Sequence, residues 1–180
     1  TMATIAQPAP KLAAASGFSI PDDRTFIIVE QDEIGREHHF SGEKLTTLLA
    51  LYKYQSFDQA LDMMRAVYEV GGKGHSCGIY SFDQSHIHAL AMAAPVSRIM
   101  VRQPQSKANA GAFNNGMPMT SSLGCGTWGG NVISENVHLK HYMNTTWVSV
   151  PIKEDKPSDE ELFGSFYDPA LEAEVETITT

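Results

Sequence analysis

The chain has 180 residues, 42% of them hydrophobic and 19% charged, with 13 Lys/Arg against 21 Asp/Glu and a net charge of −8. That length supports one domain with a proper core. No apolar run approaches the roughly 20 residues that cross a bilayer, and the first residues, TMATIAQPAP, lack the basic flank and apolar stretch of a signal peptide, so no membrane partner is expected.

In chain order, Pro10 to Ala15 reads as a short helix stopped by Ser16-Gly17. Thr25 to Glu30 (TFIIVE) is β-branched and apolar, the pattern of a buried strand, and Leu48 to Tyr54 (LLALYKY) reads as another. Ser56-Phe-Asp-Gln59 is a capping box in which Ser56 caps and Gln59 reaches back. It opens a helix with Ala60, Met63, Met64, Val67 and Tyr68 at helical spacing, closed by Gly71-Gly72. The same tetrapeptide returns as Ser81-Phe-Asp-Gln84, after a strand-like run (Ser76 to Tyr80) and before a helix (His86 to Ala94) stopped by Pro95. We read the repeat as two independently used helix starts, not as duplication. Val96 to Val101 is a further strand, so strand, helix, strand, helix, strand follow one another at spacings that imply a parallel sheet with covering helices.

Ala108 to Ser134 (ANAGAFNNGMPMTSSLGCGTWGGNVIS) is a run of 27 residues with six glycines and no charge. Glycine weakens strands, and the run is too apolar for a solvated linker, so it reads as a functional loop whose backbone approaches something closely. Glu135 to Met143 reads as a short helix and Thr145 to Ile152 (TTWVSVPI) as a strand. Beyond it, KEDKPSDEE is a solvated segment, LFGSFY a small apolar patch, and the last dozen residues read as disordered. Residues 1–152 hold 11 Lys/Arg and 12 Asp/Glu, whereas residues 153–180 hold 2 and 9. The body therefore has no basic stripe to follow a phosphate backbone, and nucleic acid is not an expected partner. The acidic, partly apolar tail suits either docking on another subunit or a frayed terminus.

Cys77 and Cys125 are too few for a disulfide framework and fit a reducing compartment, with the cytoplasm as the expected location. Cys125, between two glycines, is conceivable as a nucleophile paired with a histidine, although no spacing ties a histidine to it. Cys77 reads as a small buried hydrophobe. His75, after Gly71-Gly-Lys-Gly74, is either a polar group presented at a ligand crevice or a histidine bonded to turn backbone. His38-His39, His86/His88 and His138/His141 lack the carboxylates or cysteine pairs of a metal site. Gly71-Gly-Lys-Gly-His75 lacks the spacing of a phosphate loop and follows a helix. Glu43 is the one acid beside an apolar strand entrance, either a ligand for ribose hydroxyls or a helix-start acid.

Five strings, in order, resemble the CoA-acylating branch of the aldehyde dehydrogenase superfamily from about Gly17 to Gly164. They are His39-Phe-Ser-Gly-Glu-Lys-Leu45 leading into LLALYKY, Gly71-Gly-Lys-Gly-His-Ser76, Pro95-Val-Ser-Arg-Ile99, Leu123-Gly-Cys-Gly-Thr-Trp-Gly-Gly-Asn131 with Ser134-Glu-Asn-Val137, and Glu160-Glu-Leu-Phe-Gly164. The resemblance implies part of a three-layer α/β catalytic domain over residues 1–144, a mostly parallel sheet with helices on both faces. A C-terminal oligomerisation strand and acidic tail follow over 145–180, so that a homo-oligomer is implied. It implies NAD- or NADP-dependent oxidation of an aldehyde through a thiohemiacetal and a thioester on a cysteine, with coenzyme A taking the acyl group. That cysteine and the dinucleotide-binding domain are expected upstream of residue 1. No catalytic residue is therefore assigned within the chain, which is expected to be inactive alone. Glu43 matches the acid that contacts the nicotinamide ribose, with Leu45 beside it. Gly124, Cys125, Gly126 and Thr127 match the segment bordering the aldehyde tunnel. Two departures bear on the first assignment: Ser41-Gly42 stands where Ser-Arg is expected, and Thr46-Thr47 where Ser-Pro is expected. The EDKPS segment and neutral loop resemble the sulfoacetaldehyde-type members, with acetaldehyde, propionaldehyde and succinic semialdehyde open as well. Two other readings stay open: a stand-alone nucleotide- or CoA-binding module, and a hydrolase or acyltransferase built on Cys125.

Overall fold

The computed structural model describes residues 3–171. The expected disorder of the last dozen residues falls largely on 172–180, outside the described residues. Two compact units divide at residue 143, the first spanning Thr1–Met143 and the second Asn144–Thr180.

The first unit begins with α1 (Ala9–Ala15), an alanine-rich turn with Pro10 near its start, where a missing amide proton costs nothing. β1 (Ile27–Glu30) and β2 (Leu48–Leu51) pair in parallel with Ile27 opposite Leu48. α2 (Phe57–Gly71) follows, capped by Ser56, whose hydroxyl accepts from the Gln59 amide. β3 (Cys77–Ile79) and β4 (Ile99–Val101) form a second parallel pair joined by α3 (Gln84–Ala93), with a bridge from Gly74 to Val96 extending it. The short α4 (Gln105–Ala108) leads into the neutral loop.

The expected parallel pairing is present, in two separate ribbons, and the whole is mixed α/β with small parallel sheets. Strand order changes after β2, because α2 carries the chain to a second ribbon and β2 does not pair with β3. The core lies between α2, α3 and the second ribbon. Leu61, Cys77, Leu90, Ala94 and Val96 are buried there, with Met64, Tyr68, Ile79 and Ile99 packed around them. Large apolar side chains such as Ile28, Leu49 and Leu51 stay exposed on the first ribbon.

Several boundaries move. Only Leu48–Leu51 of the expected Leu48 to Tyr54 strand pairs, and the helix expected over Glu135 to Met143 shrinks to a 3₁₀ turn at Leu139–Tyr142. The strand expected over Thr145 to Ile152 is absent. No ladder partner faces it in the second unit's described residues, Pro151 has no amide proton to donate, and Trp147 is 90% exposed. The regular structure in the second unit is instead α5 (Asp159–Phe163), opened by a capping box between Ser158 and Glu161, and a 3₁₀ turn at Gly164–Phe166.

Candidate functional site

Two segments that are far apart in sequence meet beside the C-terminal end of α2. The turn at residues 40–44, Tyr52 after β2, Val67 and Tyr68 of α2, and the Gly71–Ser76 connection line one open groove of about 620 Å³. Glu43 and His75 both line it.

The turn holding Glu43 is built from polar contacts. Ser41 is buried, and its hydroxyl accepts from the Gly35 amide at 3.1 Å. Lys44 folds back so that Nζ donates to the carbonyls of Phe40 and Gly42, each at 2.8 Å, and partial burial lowers its pKa. The Glu43 carboxylate is exposed, with no hydrogen-bond or ion-pair partner among the described residues. Leu45, expected beside the cofactor, has φ of +49° and does not line the groove; its carbonyl instead accepts from the Ala6 amide at 2.9 Å. Where Ser-Pro was expected, the Thr46 and Thr47 hydroxyls both reach the Gln7 carbonyl.

His75 is exposed at the mouth, while its neighbour Ser76 is 6% exposed. The Ser76 hydroxyl lies 2.7 Å from His75 Nδ1, and it accepts from Gln105 Nε2 at 2.9 Å and Asn109 Nδ2 at 3.3 Å. The Ser76 carbonyl accepts from the Tyr68 hydroxyl at 2.9 Å. Burial raises the pKa of Tyr68 and of Cys77, whose polar atoms neighbour each other.

The neutral loop packs directly on this turn. Gly74 has φ of +102°, and a Cβ there would lie 2.5 Å from the Cys125 carbonyl oxygen and 2.8 Å from the Gly129 amide nitrogen. The close approach expected of the loop is thus largely to its own protein. Gly124 and Gly126 donate to the carbonyls of Glu135 and Ile133, and a Leu123–Asn136 bridge makes the segment a small antiparallel ladder. Thr127 is exposed and begins the 3₁₀ turn at the tip. Gly124 borders a second hollow of about 440 Å³ with Ser122, Leu123 and Asn131 to Ile133. The Cys125 amide donates to Asn131 Oδ1 at 2.8 Å, and its thiol is free and half-buried, with no histidine bonded to it. Cys77 is buried, as its small-hydrophobe reading implies.

Arg98 and Asn136 join these parts, and their strings drew attention without a role for either residue. Arg98 is 5% exposed and forms no carboxylate pair among the described residues. It donates instead to Asn136 Oδ1 at 2.6 Å, the His75 carbonyl at 3.0 Å and the Gly124 carbonyl at 2.6 Å. Asn136, 3% exposed, donates in turn to the carbonyls of Asn109 and Pro118. A guanidinium spreads donors over a plane and so can fix three segments at once, which an ammonium cannot.

The other histidines do not line the groove. His86 stacks on Phe57 with ring centroids 4.1 Å apart, and His138 and His141 pack edge to face at 5.0 Å. No group of three His, Cys, Asp or Glu side chains among the described residues is placed to hold a metal ion. Among them also, no helix is long and apolar enough to cross a membrane.

No family model matches the chain. Individual proteins do. It is 42% identical over 164 residues to a sulfoacetaldehyde dehydrogenase of an Acholeplasma species, covering 91% of this chain and 34% of that one. It is 39% identical to an acylating sulfoacetaldehyde dehydrogenase of Bilophila wadsworthia, covering 91% and 35%. Among solved structures, an acetylating aldehyde dehydrogenase of Geobacillus thermoglucosidasius superposes with a TM-score of 0.78 at 32% identity, covering 86% of this chain and 34% of that one. The chain thus spans about a third of the length of the relatives it matches, and it is similar to a portion of the acylating aldehyde dehydrogenases of the sulfoacetaldehyde and acetaldehyde dehydrogenase type.

Proposed function

We propose that the chain forms the C-terminal portion of an NAD(P)-dependent, CoA-acylating aldehyde dehydrogenase, which converts an aldehyde, CoA and NAD(P)⁺ to acyl-CoA, NAD(P)H and a proton. The observation that carries this reading is the meeting of Glu43 and His75 in one groove, with the 124–127 loop packed on the same turn. An exposed carboxylate without a protein partner fits a ribose, because its oxygens accept from vicinal hydroxyls. NAD(P)⁺, when bound, supplies the hydride acceptor. Glu43 orients that group, and His75 presents a ring nitrogen at the groove. The loop at Gly124, Cys125, Gly126 and Thr127 borders the path of the aldehyde.

The nucleophilic cysteine and the dinucleotide-binding domain belong, on this reading, outside residues 1–180, and the chain alone is inactive. The two ribbons are parts of the larger three-layer sheet of such a catalytic domain. Residues 145–180 serve a homo-oligomeric contact through their exposed apolar positions Trp147, Val148, Val150 and Ile152. Two free thiols are consistent with a cytoplasmic setting. Sulfoacetaldehyde, after which the two relatives above are named, is the aldehyde proposed here.

A chimera in which residues 1–180 replace the matching third of the Acholeplasma relative tests this. We expect CoA-dependent NAD(P)H formation from sulfoacetaldehyde by the chimera and none by the 180-residue chain. Glu43→Gln in the chimera should raise KM for NAD(P)⁺ by about tenfold, the loss expected for one charge-assisted hydrogen bond. An unchanged KM would remove Glu43 from the cofactor site. Saturable CoA or NAD(P)⁺ binding by the isolated chain, with an inactive chimera, would favour the binding-module reading.

A further inference from the structure

The Ser76 hydroxyl has one proton and two lone pairs. Gln105 Nε2, at 2.9 Å, and Asn109 Nδ2, at 3.3 Å, are amide donors, so they occupy the lone pairs. The proton then has one remaining neighbour, His75 Nδ1 at 2.7 Å. That bond makes Nδ1 an acceptor and leaves the proton of the neutral ring on Nε2. The surroundings hold this arrangement firmly. Gln105 Nε2 also donates to the Ser76 carbonyl at 3.0 Å, Tyr68 donates to that same carbonyl, and Arg98 holds the carbonyl of His75. Asn109 and Ser76 are both buried, so water does not compete freely for the hydroxyl.

We propose that Ser76 is a positioning residue that fixes neutral His75 as the Nε2–H tautomer, so that the ring offers the groove a hydrogen-bond donor. Nε2 has no protein partner among the described residues. A donor at that point recognises an acceptor oxygen, and it serves to polarise a carbonyl or thioester oxygen. It is not an available general base in this form. This role rests on reading the groove as the reactive face, whereas the tautomer itself does not. The two therefore fail separately.

Long-range proton–nitrogen NMR of the ¹⁵N-labelled 180-residue chain, recorded with the ring neutral, reads the tautomer directly. For His75 we expect a pyridine-like Nδ1 and a pyrrole-like Nε2, with the Nε2–H form in excess by about tenfold, as one net hydrogen bond of about 1.4 kcal/mol dictates. Ser76→Ala should bring the ring towards a mixture of tautomers, and Ser76→Thr, which restores a hydroxyl, should recover the excess. A merely structural role would leave the tautomer unchanged in Ser76→Ala. A pyrrole-like Nδ1 in the unsubstituted chain, or no change in Ser76→Ala, would overturn the proposal. The measurement on the unsubstituted chain decides it even if a variant fails to fold. In the active chimera, Ser76→Ala should lower kcat about tenfold with KM for NAD(P)⁺ unchanged, a split that tests the donor role separately from the tautomer.

Discussion

Gly74 and Gly72 are both at positive φ, +102° and +96°, yet only Gly74 has atoms where a Cβ would sit. The pair therefore separates conformational cost from contact. Gly72→Ala should cost about 1 kcal/mol from backbone conformation alone. Gly74→Ala should cost at least about 2 kcal/mol, because the Cys125 backbone must also move. Denaturant unfolding of the two variants checks this, and equal losses would mean that the loop yields freely. Tyr68 and Cys77 carry the pH dependence at this scale. Burial raises both pKa values in the folded state, so the neutral forms are favoured there. Their contribution to stability is full below the unfolded-state values and is lost as pH rises through the folded ones. Stability should therefore decline from about pH 8.5, the ordinary thiol value, upwards. Cys77→Ala should reduce that slope; an identical profile would assign the alkaline loss elsewhere. The sequence named Glu43 and His75, since both stand in distinctive strings. It did not reveal Ser76, Arg98 and Asn136 as a network, because each is an ordinary polar residue until the fold buries it.

At the scale of elements, the repeated SFDQ shows how far a local motif reaches. In the first copy Ser56 is the cap, and Gln59 reaches back to the Gln55 amide at 2.6 Å. In the second copy the helix starts two residues later. Asp83 caps it by accepting from Ser85 and His86, while Ser81 accepts from the Asp83 amide in a preceding turn. Identical tetrapeptides thus take different registers, since a serine and an aspartate two positions apart are both competent caps. Ser56→Ala and Asp83→Ala should each lower stability by about 1 kcal/mol, and Ser81→Ala by distinctly less. Thermal unfolding of the three variants decides between this order and equal use of the two serines. Helix existence, the parallel pairing of neighbouring strands and the stop at Gly71-Gly72 were legible from periodicity and punctuation. The strand at Thr145 to Ile152 was not, because alternation of side chains describes a strand's faces and says nothing of whether a ladder partner exists. The neutral loop was legible as a place of close backbone approach, but not as the antiparallel ladder it forms.

For the whole molecule, the uneven charge and the exposed apolar positions matter most. The first 152 residues are nearly neutral, and the acidity lies in the last 28. Large apolar side chains stay exposed on the first ribbon, and Trp147, Val148, Val150 and Ile152 stay exposed in the second unit. The exposed positions of the second unit fit the homo-oligomeric contact proposed for residues 145–180. Deleting residues 145–180 should lower the oligomer size in sedimentation without changing the circular dichroism of the first unit, and an unchanged size would refute a role for these residues. The match to about a third of the relatives' length underlies the claim that the reactive cysteine lies outside residues 1–180. The intact mass of the protein that the native gene expresses tests that claim most directly. The account predicts a mass well above 19.7 kDa, with an additional cysteine that aldehyde and cofactor protect from alkylation. A native product of 19.7 kDa would contradict it.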